Sequence, residues 1–170
     1  KKYNTFFIGV LFFSIGHLIY VYSFITKAHF SPDSFIPNES FLQKYAVHIA
    51  VIYALVILAG IAHIKMDKIE FKGKYKVMLL YSLILITSFV FATVRAIESI
   101  KSGNVPFGVM LAISGGMFMI SDAFLASQLF GKPKFSRKIT EFCVAVFYFP
   151  AQTLFALSIL GAHQLKDFLL

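Results

Sequence analysis

Residues 102–131 read SGNVPFGVMLAISGGMFMISDAFLASQLFG, and Asp122 is the only charged side chain among them. A helix of this length and apolarity is long enough to cross a hydrocarbon core of about 30 Å. A charged group at the centre of a membrane helix costs at least about 2.5–3.5 kcal/mol on insertion scales, so it is a functional candidate by default. The stretch therefore predicts a membrane-spanning helix that carries a site.

Runs without Asp, Glu, Lys or Arg recur along the whole chain. They cover Tyr3–Thr26, Tyr45–Ile64, Val77–Val94, Ser102–Ser121 and Phe142–Leu165. The chain has 58% hydrophobic residues and 21 Phe in 170 positions, more apolar side chain than a soluble domain of this size can bury. The runs are also longer and more uniformly apolar than the alternating strands of a membrane barrel. We expect an all-α, polytopic membrane helical bundle, one domain over residues 1–170, with five transmembrane helices at about 3–26, 45–64, 75–98, 105–130 and 140–163.

The chain has a net charge of +8, and its basic residues are unequally divided between the two sides of this bundle. Eleven of the sixteen basic residues fall at one set of helix ends, and the other five are Lys27, Lys44, Arg95, Lys101 and Lys166. This asymmetry is the positive-inside pattern, which predicts a multi-pass integral membrane protein with a cytoplasmic N-terminus. The basic ends are expected to contact anionic lipid headgroups, and no nucleic acid is predicted as a partner.

Asp122 shares its helix face with Leu111, Gly115, Phe118 and Leu129. This wall is apolar, with one glycine gap where a lipid chain or another helix can approach closely. Apolar surroundings favour the neutral form of a carboxylic acid, so a proton donor beside an apolar slot is one interpretation. The other is a carboxylate that pairs with a neighbour and holds the bundle together. Arg95 is the obvious partner, but helical rise places it about 20 Å away in depth, which argues against a direct ion pair.

Further polar residues interrupt the first and last apolar runs. His17 and Tyr20 lie one turn apart, and Glu141, Tyr148 and Gln152 share one face by their spacings of seven and four. Both sets fit either a substrate-lined interior or interhelical hydrogen bonds, which are the commoner role of an intramembrane His. No nucleophile elbow, phosphate-binding loop, dinucleotide fingerprint or metal-ligand spacing is present, so the sequence predicts no metal or cofactor.

Three segments resemble the lysoplasmalogenase, or YhhN-like, family. GGMFMISDAFLASQLF, followed by the basic loop GKPKFSRK, is similar to the family's Ser-Asp element at Ser121 and Asp122. VAVFYFPAQTLFALSIL resembles its Tyr-x-x-Ala-Gln helix, with Tyr148 and Gln152. GVLFFSIGHLIYVYSF resembles its Gly-His-x-x-Tyr helix at His17 and Tyr20, and VRAIESI, with Arg95, fits a weaker element.

The resemblance implies cleavage of the vinyl ether bond of lysoplasmalogens to a fatty aldehyde and glycerophospho-ethanolamine or -choline. Asp122 would be one of two essential carboxylates and the general acid. The family's second carboxylate belongs to a Gly-Asp pair on an earlier helix. This sequence contains no Gly-Asp pair, so its five helices are expected to correspond to the last five of eight.

The same resemblance implies roles for the other polar residues. Ser121, Tyr148 and Gln152 are expected to hold water or the glycerol oxygens. His17 and Tyr20 would line the same cavity, and Arg95 would lie near a headgroup phosphate. Membrane lipids and a lysophospholipid substrate are the expected partners, with no metal or organic cofactor.

Two other functions remain open at this point. One is a catalytically silent relative that serves as a subunit of a larger membrane complex, with protein partners, or as a lipid-binding scaffold. The other is a small transporter in which Asp122 and His17 relay protons.

Overall fold

Five long helices make up the computed structural model, which describes residues 2–26, 39–71, 73, 75–132 and 135–159. The helices are α1 (Lys2–Thr26), α2 (Glu39–Met66), α3 (Tyr75–Lys101), α4 (Val105–Phe130) and α5 (Arg137–Ile159). All five are long and apolar enough to cross a membrane, and the described residues form no strand. The predicted all-α bundle of five transmembrane helices is therefore confirmed.

Several helix ends differ from the predicted bounds. The α2 helix begins at Glu39 rather than near residue 45, α3 continues to Lys101, and α5 begins at Arg137. The apolar runs mark only the part of a helix inside the hydrocarbon, whereas a helix continues through polar residues into the headgroup region. The predicted end of the last helix at residue 163 lies outside the described residues.

The bundle is built on α3, α4 and α5, which pack side by side in chain order, with α1 against α3. Its core includes Val90 and Val94 on α3, Leu111 and Phe118 on α4, and Phe155 on α5, each at most 3% exposed. The α2 helix packs on the outside of α3. Most of its apolar side chains are exposed, as expected of a helix that faces lipid.

A tight turn joins α3 to α4 and brings the two helices close together. Gly103 takes φ +90°, a left-handed conformation that favours glycine. Five residues later Gly108 faces α3. A Cβ placed there would lie 2.6 Å from Ile100 Cγ1 and 2.7 Å from the backbone oxygen of Ala96. Only glycine permits this approach without displacement of the backbone.

Arg95 fastens the end of α1 to α3. Its side chain is 5% exposed, Nε donates to the carbonyl of Phe24, and Nη2 donates to the carbonyl of Ile25 at 3.0 Å. Nη1 forms an ion pair with Glu98, and the guanidinium lies 3.8 Å from the centre of the Phe41 ring. Terminal carbonyls of a helix need donors, and a single buried guanidinium supplies them here.

At the opposite end of the bundle, polar contacts join the end of α2 to α4. Ser127 Oγ lies 2.5 Å from Asp67 Oδ2 and 3.1 Å from His63 Nε2. Backbone hydrogen bonds follow, from the Lys132 N–H to the Asp67 carbonyl and from the Glu70 N–H to the carbonyl of the last residue of α4, both at 2.8 Å. These contacts hold the α2–α3 connection against the end of α4.

Candidate functional site

Asp122 is hydrogen-bonded to a tyrosine inside the bundle. Its carboxyl is partly buried, and Oδ1 accepts a hydrogen bond of 2.9 Å from the Tyr81 hydroxyl of α3. Tyr81 lies six residues after the start of α3, and Asp122 lies eight residues before the end of the antiparallel α4. These positions correspond to about 9 and about 12 Å from the same end of the bundle, so the two side chains meet at similar depth.

His17 is enclosed by aromatic rings at the centre of the site. Its side chain is 2% exposed. The ring centroid lies 4.4 Å from Phe118, 5.8 Å from Tyr20, 6.0 Å from Phe13 and 6.5 Å from Phe155. Among the described residues, neither ring nitrogen has a hydrogen-bond partner. The sequence indicated an intramembrane His here but not its aromatic enclosure, because the enclosing rings come from three helices.

Tyr20 and Gln152 connect the first and last helices. The Tyr20 hydroxyl donates to Gln152 Oε1 at 3.2 Å, and the Tyr20 ring stacks on Phe155 with centroids 5.1 Å apart. The α1 and α5 backbones make few other contacts with each other. This hydrogen bond is therefore a main polar contact between α1 and α5.

Tyr148 lies between the region around Asp122 and the region around His17. Its ring packs 5.5 Å from Phe13, which also contacts His17, and 6.1 Å from Phe118. Phe118 is one helical turn from Asp122 on the same face of α4. The structure thus packs His17 and Tyr148 against the ring of Phe118, one helical turn from Asp122, and Tyr20 connects His17 to Gln152.

Ser121 and Arg95 were also predicted for the site, but their polar groups bind other parts of the bundle. Ser121 is 3% exposed, and its Oγ donates to the carbonyl of Val144 at 3.1 Å, which joins α4 to α5. Arg95 directs its donors at the end of α1 and at Glu98. The glycine gap at Gly115 is occupied by a helix neighbour, since an added Cβ would lie 3.2 Å from the Phe89 ring of α3.

Glu141, on the predicted polar face of α5, belongs to the helix start and not to the interior. It is half-exposed, at 51%, and accepts hydrogen bonds from Arg137 at 2.8 Å and from Gln128 at 3.3 Å. In the part of the chain that the structure describes, no three His, Cys, Asp or Glu side chains come together as a set of metal ligands. The described residues of the interior site offer one carboxyl, hydroxyls, an amide and an imidazole.

Tyr81 is the partner that the sequence analysis missed. A tyrosine in an apolar helix is common and does not by itself indicate a functional site. The signal that could have found it is depth, because antiparallel neighbouring helices bring residues equally far from one bundle end to the same level.

A family model covers this arrangement as a whole. The model of the YhhN family matches residues 1–159. This chain belongs to the YhhN family. The resemblance predicted from three segments is thereby confirmed at the level of the family, and the match includes every residue of the interior site. No curated protein and no solved structure matches this YhhN-family chain.

Proposed function

We propose that this YhhN-family protein is a lysoplasmalogenase-like membrane hydrolase, which cleaves the vinyl ether bond of a lysoplasmalogen. The observation that carries the proposal is the Asp122 carboxyl, held by Tyr81 in an interior otherwise lined by aromatic and neutral polar groups. Such a carboxyl is suited to move a proton to and from a lipid within the membrane. Membership in the family supports the same general kind of protein.

Vinyl ether cleavage starts with protonation of carbon. An acid delivers a proton to the alkenyl carbon farther from the ether oxygen, which leaves an oxocarbenium ion. Water adds to the carbon beside the oxygen and loses a proton, and the resulting hemiacetal separates into the aldehyde and the glycerophospho-alcohol. One water is consumed and no electrons are exchanged, so the reaction requires an acid, a base and stabilisation of a cation.

Asp122 can supply these functions in sequence. Tyr81 donates to Oδ1, which leaves Oδ2 as the oxygen that carries the proton for the alkenyl carbon. The carboxylate formed by proton transfer then stabilises the oxocarbenium ion and accepts the proton that water loses. A positioned general acid typically contributes about 10²–10⁴-fold to a rate. Tyr148, Gln152 and Tyr20 provide polar groups for the water and the glycerol oxygens, and no metal or organic cofactor enters these steps.

The test is aldehyde release by the purified protein with a lysoplasmalogen substrate. Asp122→Asn removes the transferable proton while it retains the size of the side chain and an oxygen for Tyr81. We expect at least an approximately 100-fold loss of aldehyde release at unchanged thermal unfolding temperature. Glu141→Gln is the matched control, because it makes the same chemical change at the exposed start of α5.

Equal activity of wild type and Asp122→Asn would contradict the assignment. Lipid binding without aldehyde release by the wild type would favour the alternative of a silent family member that acts as a lipid-binding scaffold or as a subunit of a membrane complex. Proton-coupled flux in liposomes, which requires neither lipid cleavage nor a partner, would favour the transporter.

A further inference from the structure

His17 is a buried polar side chain whose hydrogen-bonding capacity the described residues around it do not use. It is 2% exposed, and neither Nδ1 nor Nε2 has a partner among the described residues. Buried polar groups are nearly always hydrogen-bonded, since an unpaired one has lost its water without compensation. A buried imidazole of this kind is therefore a place where a polar atom from outside the protein is expected to bind.

The walls around His17 indicate which kind of atom fits. The neighbouring rings of Phe13, Phe118 and Phe155 offer no hydrogen-bond donor or acceptor, and the Tyr20 hydroxyl is directed at Gln152. A neutral imidazole has one donor nitrogen and one acceptor nitrogen. An uncharged hydroxyl oxygen can bond to either of them and suits an aromatic enclosure, whereas a phosphate or an ammonium group would be buried there without a counter-charge.

His17 is connected to the acid through Phe118, so a ligand bound at His17 can extend toward Asp122. His17 contacts Phe118, with ring centroids 4.4 Å apart, and Phe118 precedes Asp122 by one helical turn, about 6 Å. In a lysoplasmalogen the free hydroxyl at the sn-2 carbon lies five bonds from the alkenyl carbon that takes up the proton. At roughly 1.2 Å per bond of extended chain, these two atoms are about 6 Å apart.

We propose that His17 binds the free sn-2 hydroxyl of the lipid and thereby selects lysolipids over lipids acylated at that position. This proposal rests on the proposed function, to which it adds the residue that recognises the substrate. Acylation of the hydroxyl removes its proton and places an ester chain against the rings of Phe13 and Phe118. A site built to pair a substrate hydroxyl discriminates strongly against an analogue that lacks it, because the buried partner is then left unpaired.

The experiment measures binding of lipids that the protein cannot cleave. Two saturated 1-alkyl ether lysophosphoethanolamines serve as probes, one with the sn-2 hydroxyl and one without it, and affinities are measured by calorimetry in nanodiscs. We expect the wild type to bind the hydroxyl probe at least about 10-fold more tightly than the 2-deoxy probe. In His17→Phe the ratio of the two affinities falls to about 1, and in His17→Gln, which retains a donor and an acceptor, part of the preference remains.

Two controls separate recognition from folding. His48→Phe makes the same substitution at an exposed position of α2 and keeps the wild-type ratio of affinities. Phe at position 17 joins an aromatic cluster and removes an unpaired polar group, so folding of His17→Phe is expected and is checked by thermal unfolding. If it unfolds, the His17→Gln ratio decides the result: a ratio below that of wild type supports the proposal, and a ratio equal to that of wild type overturns it.

The remaining outcomes are decisive as well. A preference for the hydroxyl probe that persists in His17→Phe contradicts the assignment. The absence of any preference in the wild type, with His17→Phe slower in aldehyde release, would mean that His17 binds water and would also overturn it. Because the probes are not cleaved, a preference for the hydroxyl probe that is present in the wild type and lost in His17→Phe, without any aldehyde release, supports His17 as a lysolipid-recognition residue and refutes only the hydrolase.

Discussion

At the scale of single residues, the hydrogen bond between Tyr81 and Asp122 defines how the carboxyl can act. The phenol is neutral and donates to one oxygen of Asp122 at 2.9 Å. It therefore fixes the rotation of the carboxyl group, and in the proposed reaction it would stabilise the carboxylate that remains after proton transfer and leave the other oxygen available to the substrate. We regard Tyr81 as a positioning residue for Asp122.

Tyr81→Phe should lower the turnover rate with little effect on the KM for lipid. The loss of a hydrogen bond to an ionised group is worth about 1.5–3 kcal/mol, so we expect turnover to fall about 10-fold to 100-fold. Tyr53→Phe is the matched control, since the Tyr53 hydroxyl donates to Thr87 Oγ1 at 2.7 Å between α2 and α3, outside the site. Turnover numbers of Tyr81→Phe equal to those of Tyr53→Phe would contradict the role of Tyr81.

The sequence identified Asp122 but not its partner, for a physical reason. A lone charge in an apolar helix is visible in the sequence because its insertion is costly. Which side chain meets it depends on the rotation and depth of a neighbouring helix, and neither is encoded in local spacing. Arg95 illustrates the same limit, since its carbonyl partners Phe24 and Ile25 are 71 and 70 residues away. The role predicted for Arg95 at a headgroup phosphate stays a prediction.

At the scale of secondary-structure elements, the α3–α4 hairpin fixes the level at which Tyr81 meets Asp122. Its two helices approach most closely at Gly108, which faces the Ala96 carbonyl and Ile100. A side chain on Gly108 would push the helices apart or shift them along each other. The sequence predicted both helices from their apolar runs, but the glycine contact depends on their packing.

Gly108→Ala should destabilise the hairpin. The added methyl group meets a backbone oxygen, which cannot move cheaply, so we expect a loss of about 1–3 kcal/mol in the free energy of unfolding in detergent. Gly116→Ala on the same helix is the control, since nothing lies within 4 Å of its added Cβ. That variant should be neutral or more stable, because alanine favours a helix by about 0.8–1 kcal/mol over glycine. Equal unfolding free energies for the two variants would argue against the close contact.

At the scale of the whole molecule, the five helices and the distribution of basic residues together predict an orientation in the membrane. Eleven of the sixteen basic residues belong to the ends that include Lys65, Lys68 and Lys132. The positive-inside rule assigns these ends to the cytoplasm. Asp122 then lies in the cytoplasmic half of the membrane, and the bond between Tyr20 and Gln152 lies in the opposite half.

This orientation can be measured by thiol labelling from outside intact cells. The chain has one cysteine, Cys143, so Cys143→Ser provides the background for single cysteines at the exposed positions 102 and 132. A membrane-impermeant maleimide should label Ser102→Cys in sealed cells and Lys132→Cys only after permeabilisation. The reverse pattern would place the N-terminus outside and Asp122 in the other half of the membrane.

Transfer of a proton from Asp122 to carbon is most directly tested by the reaction in D₂O. Cleavage by carbon protonation places one solvent deuteron on the α-carbon of the aldehyde, next to its carbonyl group. Mass spectrometry of the product detects this deuteron. Incubation of unlabelled aldehyde in D₂O corrects for exchange after release. We predict monodeuterated aldehyde from the wild type and at least about 100-fold less from Asp122→Asn. Aldehyde without the deuteron, or equal deuterated product from both proteins, would contradict the account.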